Sequence, residues 1–195
     1  MVKLNVEIVD VANEYKNSKN EHYKAKMERA EKEYKWTKEQ KAHIKTIMAK
    51  YPKTHKRSAL LPILHYAQDE FDGWLPVALM QLVADTIELP LMKVQEVATF
   101  YTMYNLKPVG KYHLQVCTNC ACVVNGAGEV LKAVEQEVGE IEDGMSKDGL
   151  FTITEVECLG ACVESPLIQV NKEYKTRLTP DSAVELVKEL KAKDA

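Results

Sequence analysis

The sequence predicts a mixed fold of class α+β or α/β, in which an N-terminal helical bundle precedes a small sheet covered by helices. Two observations carry this. Between Trp36 and Tyr104 the apolar residues recur at three- and four-residue spacing, the period of a helix face. Beyond a break at residues 105–111 (NLKPVGK), strand-like runs take turns with helical ones. A third observation places the chemistry: all five cysteines lie between Cys117 and Cys162, in the second half.

Three regions follow: a charged extension over residues 1–35, a helical bundle over 36–106, and a sheet-containing domain over 107–195. The extension, taken with Trp36, carries eight basic and seven acidic residues. From residue 13 to 35 its periodicity is weak, which reads as a solvated or frayed helix, with a partner-binding extension as the alternative. It has no apolar core for a secretory signal and too many acids for a mitochondrial transit peptide, so a cytoplasmic location is expected.

In the bundle, Thr37 and Gln40 stand at capping-box spacing and open a first helix. Ile44, Ile47, Met48 and Tyr51 form its apolar stripe, and Pro52 ends it. A second helix follows Ser58, with Leu60, Leu64, Ala67 and Phe71 on one face. Pro62 is tolerable there only near the start. Asp72-Gly73 is a stop. Pro76 fits the first position of a third helix, with Leu79, Val83 and Ile87 stacked. Leu89-Pro90 breaks it before a fourth helix carrying Val94, Val97, Ala98 and Tyr101.

In the second half, residues 112–117 read as a strand, and Val130, Leu131, Val134 and Val138 as a helix face stopped by Gly139. Residues 139–149 read as a mostly polar loop. Residues 151–157 read as a strand whose alternation slips near Glu155, as at a bulge. Residues 167–170 make a third strand, turning at Asn171-Lys172 into Tyr174. Thr179 caps a last helix with Pro180 at its first position and Ala183, Val184, Val187 and Leu190 facing inward.

Composition excludes several classes. Hydrophobic residues at 46% and charged residues at 28% argue against a disordered or collagen-like chain. A net charge of −3 supplies no basic field for nucleic acid. No apolar run is long enough for a membrane-spanning helix, so no direct membrane insertion is expected. No G-x-G-x-x-G, Walker loop or Ser-His-Asp arrangement occurs, so the chain carries no evident NADH or flavin site.

The cysteines fall into CTNCAC (Cys117, Cys120, Cys122) and CLGAC (Cys158, Cys162), each just after a predicted strand. An odd count cannot pair fully as disulfides, and clustering without a secretory signal points to metal or redox chemistry. Pairs spaced C-x4-C and C-x3-C can converge from neighbouring strand ends, and four thiolates can ligate one [2Fe–2S] cluster. Gly160 allows a tight turn whose N–H groups can donate to sulfur. Zinc stays open, because its pairs span similar spacings. So does a Cys117/Cys120 dithiol, which leaves Cys158 and Cys162 unexplained. A set of simply buried cysteines is the remaining reading.

The segments AQDEFDGWLP, EVATFYTMYNLKPVGKYHLQVCT and VECLGACVESPLIQVN resemble the E subunit of NADH:quinone oxidoreductase, the small iron–sulfur component of respiratory complex I. The likeness runs from about Trp36 to the C-terminus. It implies a thioredoxin-like domain holding one [2Fe–2S] cluster on Cys117, Cys122, Cys158 and Cys162. It implies electron transfer with FMN on a partner flavoprotein that binds NADH, within a translocating oxidoreductase at the inner face of the cell membrane. Similar modules serve NAD-linked hydrogenases and formate dehydrogenases, and a zinc-stabilised interaction module is the alternative of another class. The chain departs from the family pattern at Cys120. The family spacing leaves Cys120 outside the ligand set as a free thiol.

The remaining candidates are weaker. His113, four residues before Cys117, is a surface or structural histidine in preference to a ligand, and His65 is the other histidine near these segments. Phe100, Tyr101, Met103 and Tyr104 read as core, with a docking surface for the flavoprotein as the alternative. Trp74 is an anchor for helix packing or for an interface. Ser165-Pro166 directly precedes a strand, where thioredoxin-like folds often carry a cis-proline.

Overall fold

The structure is a computed structural model that describes residues 15–30 and 33–194. Parts of the expected extension, residues 1–14 and 31–32, lie outside the described residues. Two compact units are present: Ala25–Pro108, and Val109–Ala195 taken with Met1–Lys24.

The described part of the extension is more ordered than its charge suggests. A short 3-10 turn at Tyr15–Asn17 precedes helix α1, Glu21–Ala30. Tyr23, Met27 and Ala30 are buried. They stand at i, i+4 and i+7, so one stripe of an otherwise charged helix is covered. Buried Asn20 holds its start. Its Oδ1 accepts from the N–H groups of His22 and Tyr23, both at 3.1 Å. Its Nδ2 donates to the carbonyls of Met145 and Ser146.

In the helical unit, α2 (Lys38–Met48) begins with the capping box read from the sequence. Thr37 accepts from the Gln40 N–H, and the Gln40 side chain accepts from the Thr37 N–H. A 3-10 segment, Lys53–Ala59, leads into α3 (Leu60–Glu70), with Pro62 in its first turn. Helices α4 (Val77–Ile87) and α5 (Leu91–Phe100) follow. Pro76 and Pro90 occupy the N-cap, one residue before the helix, where no N–H is required. Leu60, Ile63, Leu64 and Ala67 of α3 meet Leu79, Val83 and Ile87 of α4, and Val94 and Ala98 of α5, in one apolar core. Burying each large side chain contributes roughly 1.5–3 kcal/mol. Trp36 closes one side, its Nε1 donating to Thr86 Oγ1 at 2.8 Å.

In the other unit a four-stranded sheet has the order β4-β1-β5-β6. The strands are β1 (Tyr112–Cys117), β4 (Phe151–Val156), β5 (Ile168–Val170) and β6 (Glu173–Lys175). Helices α6 (Cys120–Val124) and α7 (Ala127–Val138) follow β1, and α8 (Pro180–Ala192) ends the chain. The pair β1/β4 is parallel, while β1/β5 and β5/β6 are antiparallel. Leu114 and Val116 of β1, Phe151 of β4 and Ile168 of β5 face Val130 and Val134 of α7, and Ala183 and Val187 of α8.

Three local expectations are corrected. No bulge occurs near Glu155: the β1/β4 register is continuous through Val116↔Glu155 and Cys117↔Val156. β4 is an edge strand, and its last residues leave the core, which breaks the apolar alternation without any kink. Residues 139–149 hold a two-stranded hairpin, β2 (Ile141–Glu142) with β3 (Met145–Ser146), turned at Asp143-Gly144. The cysteine segment holds the short helix α6, whose five residues are too few to show a period.

Candidate metal centre

The parallel pairing of β1 and β4 sets the site. Both strands run the same way, and Cys117 at the end of β1 pairs with Val156 at the end of β4. Their C-terminal loops therefore leave side by side. One carries Cys120 and Cys122, the other Cys158 and Cys162. Thr118 N–H donates to the Val156 carbonyl at 3.1 Å, and Asn119 Nδ2 donates to the Glu157 carbonyl at 2.8 Å. The Asn119 Oδ1 accepts from the Cys120 N–H and so caps α6. Asn125 Nδ2 donates to Ser165 Oγ at 2.6 Å, tying the end of α6 to Ser165-Pro166, whose peptide bond is cis.

The five cysteines divide by exposure. Cys117 and Cys122 are buried, packed with Ala127 and Leu167 and flanked by Leu159 and Ala161. Cys120, Cys158 and Cys162 are exposed. The Cys122 and Cys158 thiols both act on the Cys117 thiol and lower its pKa. Cys162 is near enough to Cys122 to act on it by charge. Among the described residues no group of three or more His, Cys, Asp or Glu side chains is gathered tightly enough for a single metal ion.

The electrostatics favour thiolate at one buried position. Burial works to raise the Cys117 thiol. The backbone N–H groups of Asn119 and Leu159, with the Cys122 and Cys158 thiols, outweigh it, so Cys117 is held below the ordinary thiol range. Cys122 is pushed up, first by burial and then by its hydrogen bond to Cys117 and the charge there.

The second loop is shaped by Gly160, at φ 73°, a conformation that disfavours any side chain. The Gly160 N–H donates to Cys158 Sγ at 3.3 Å. The Tyr174 hydroxyl donates to the Leu159 carbonyl at 2.7 Å. Arg177 grips the far end of the loop: Nε and Nη2 donate to the Glu164 carboxylate at 2.8 and 3.0 Å, and its own N–H donates to the Glu164 carbonyl. Tyr174 and Arg177 carry no signal in the sequence, since each acts across the fold and not along it; Asn119 acts both ways, capping α6 locally and reaching Glu157 across the loops.

The histidines lie outside this arrangement. His113 is buried on β1 and engages Thr154 Oγ1 at 2.9 Å through Nε2. Burial lowers its pKa to about 4, so it is neutral near pH 7. His65 is exposed and packs its ring against Tyr104. The aromatic group of the helical unit splits. Tyr104 is buried, with its hydroxyl donating to the Leu61 carbonyl at 2.9 Å, whereas Phe100 is 76% exposed and Met103 43%. Trp74 is buried.

Residues 44–191 match the family described as thioredoxin-like [2Fe-2S] ferredoxin. The chain is 46% identical over 145 residues to the NADH-quinone oxidoreductase E subunit of Rickettsia bellii, covering 74% of this chain and 87% of that protein. It is 44% identical over 144 residues to the same protein of Rickettsia prowazekii, covering 74% and 81%. Among solved structures it is similar to an NAD+-reducing [NiFe]-hydrogenase in the air-oxidized state, with TM-score 0.59 and 17% identity. That match covers 69% of this chain and 23% of the hydrogenase chain, and it bears on the fold alone.

Proposed function

The chain belongs to the thioredoxin-like [2Fe–2S] ferredoxins, in the family of the NADH-quinone oxidoreductase E subunit, and from that premise we propose that it relays electrons through one cluster ligated by Cys117, Cys122, Cys158 and Cys162. The observation that carries the ligand set is the parallel β1/β4 pairing, which, with the Thr118–Val156 and Asn119–Glu157 hydrogen bonds, holds the two cysteine-bearing loops side by side. The donor set fits: soft thiolates select iron–sulfur clusters, and four of them complete a [2Fe–2S] centre. When bound, such a cluster supplies reversible one-electron exchange.

The chain's own residues supply ligation and tuning. The apolar surround of Cys117 and Cys122 disfavours added negative charge. The N–H groups of Asn119, Leu159 and Gly160, aimed at sulfur, favour it. Their balance sets the potential. Cys120, exposed at the first residue of α6, remains a free thiol.

The partner is a separate flavoprotein that holds FMN and NADH, within a peripheral assembly at the inner face of the membrane. Val123 and Val163 directly follow Cys122 and Cys162, Val124 comes next to Val123, and Val123, Val124 and Val163 are 54%, 84% and 91% exposed. Exposed apolar side chains next in sequence to the assigned ligands suit a protein interface that excludes water from the electron path. No helix among the described residues is long and apolar enough to cross a membrane. The respiratory host is preferred to a hydrogenase or formate dehydrogenase because the relatives at 44–46% identity are named as NADH-quinone oxidoreductase subunits.

Purification of the tagged chain from its own cells tests the host. The expected result is a co-purifying flavoprotein with FMN, quinone reduction driven by NADH, and loss of oxidised-cluster colour when NADH is added. A nickel–iron or formate-oxidising partner would assign the same relay to a different enzyme.

A further inference from the structure

We propose that Tyr174 is a positioning residue that tunes the centre through a single peptide group. The inference rests on the assignment of Cys158 as a ligand. Tyr174 stands on β6, the edge strand opposite β4. Its side chain is 47% exposed, so burial alone gives little reason for its position. Its hydroxyl nevertheless donates to the Leu159 carbonyl at 2.7 Å.

That carbonyl and the Gly160 N–H belong to one amide. The N–H end donates to Cys158 Sγ at 3.3 Å. Hydroxyl and sulfur therefore sit at opposite ends of the same conjugated group. A donor on the oxygen withdraws electron density from the nitrogen and makes its N–H a stronger donor, and hydrogen bonds in such chains strengthen one another by about 10–30%. A stronger N–H donor at sulfur favours the more negative, reduced state of an iron–sulfur centre. The Tyr174 hydroxyl is the side-chain contact that holds the Leu159 carbonyl.

The test is a redox titration of the purified, cluster-loaded chain, followed by optical and EPR signals. The Tyr174→Phe variant removes the hydroxyl and keeps the ring. The expected result is unchanged iron and sulfide content, an unchanged oxidised spectrum, and a midpoint potential shifted to more negative values. The shift of the iron–sulfur stretching bands on transfer to D2O should shrink as well. Replacing Tyr174 with 3-fluorotyrosine, at a pH where the phenol stays protonated, strengthens the donor and should move the potential the opposite way. An intact cluster with an unmoved potential in both variants would overturn the proposal. So would loss of the cluster in Tyr174→Phe, which would make the residue a prop for the loop. A wild-type chain that holds no [2Fe–2S] cluster, or a Cys158→Ala variant that keeps one, would instead overturn the ligand assignment beneath it.

Discussion

Cys158→Ala is expected to lose the brown chromophore and nearly all bound iron, while Cys120→Ser keeps both. The two cysteines are alike in exposure and differ in what their sulfurs meet. Cys158 accepts from the Gly160 N–H and lies on the loop held beside the one that follows Cys117. Without it three thiolates remain for a centre that takes four. Cys120 begins α6 at a position set by its backbone, through the Asn119 cap. The check is iron and sulfide per chain with the visible spectrum of each variant. Retained colour in Cys158→Ala, or lost colour in Cys120→Ser, would reassign the fourth ligand to Cys120.

Gly110→Ala should destabilise the sheet-containing unit by about 2–3 kcal/mol, at the upper end of typical overpacking costs. The objection to a side chain there is steric. A Cβ would lie 2.6 Å from the backbone carbon of Phe151 and 2.8 Å from the Leu150 oxygen and the Phe151 nitrogen. Those atoms belong to β4 and its entry, and they cannot withdraw freely because Tyr112 pairs with Phe151 and Tyr112 N–H donates to Leu150. The Gly110 N–H also donates to Thr152 Oγ1 at 2.8 Å, which pins the close approach. Because β1 ends at Cys117, displacing its start also strains the site. Thermal unfolding of the loaded protein should show a midpoint lower by on the order of 10 °C. Gly128→Ala is the control: it lies in α7 with open space around it, and alanine there should be neutral or stabilising by up to about 1 kcal/mol. A Gly110→Ala midpoint equal to that of wild type would mean the chain does not press on β4 there.

The same glycine shows where the sequence was readable and where it was not. Residues 105–111 read as a boundary because Pro108 and Gly110 interrupt every period, and the strand does begin at Tyr112. That Gly110 is required by the backbone of a strand forty residues later depends on tertiary packing, which local pattern does not carry. Capping chemistry was legible at Thr37 and Thr179 because each cap is satisfied within four residues. The stripes of α3 and α4 were legible because one face alone meets the core. The burial of Tyr23 and Met27 was harder to read, since long charged side chains surround them and blur the moment. The Asp143-Gly144 turn was a usable hairpin signal, though two-residue strands give no alternation to support it.

The site divides in the same way. The cysteine spacings pointed to sulfur chemistry, and the strands before them to a shared edge. The spacings alone left iron–sulfur, zinc and dithiol readings open. The family likeness, and then the parallel strand ends that bring the two cysteine loops side by side, narrowed them. The residues that shape the loops could not be read in advance. Asn119, Tyr174 and Arg177 act through hydrogen bonds to backbone atoms far away in sequence or on another strand.

The measurement that bears most directly on the electron-relay assignment is iron, zinc and acid-labile sulfide on anaerobically purified protein, with EPR before and after dithionite. The predicted result is two irons and two sulfides per chain, no stoichiometric zinc, and a spin-one-half signal that appears only on reduction. One zinc per chain with no sulfide and no signal would contradict it, leaving a thioredoxin-like fold whose cysteines serve structure and not electron transfer.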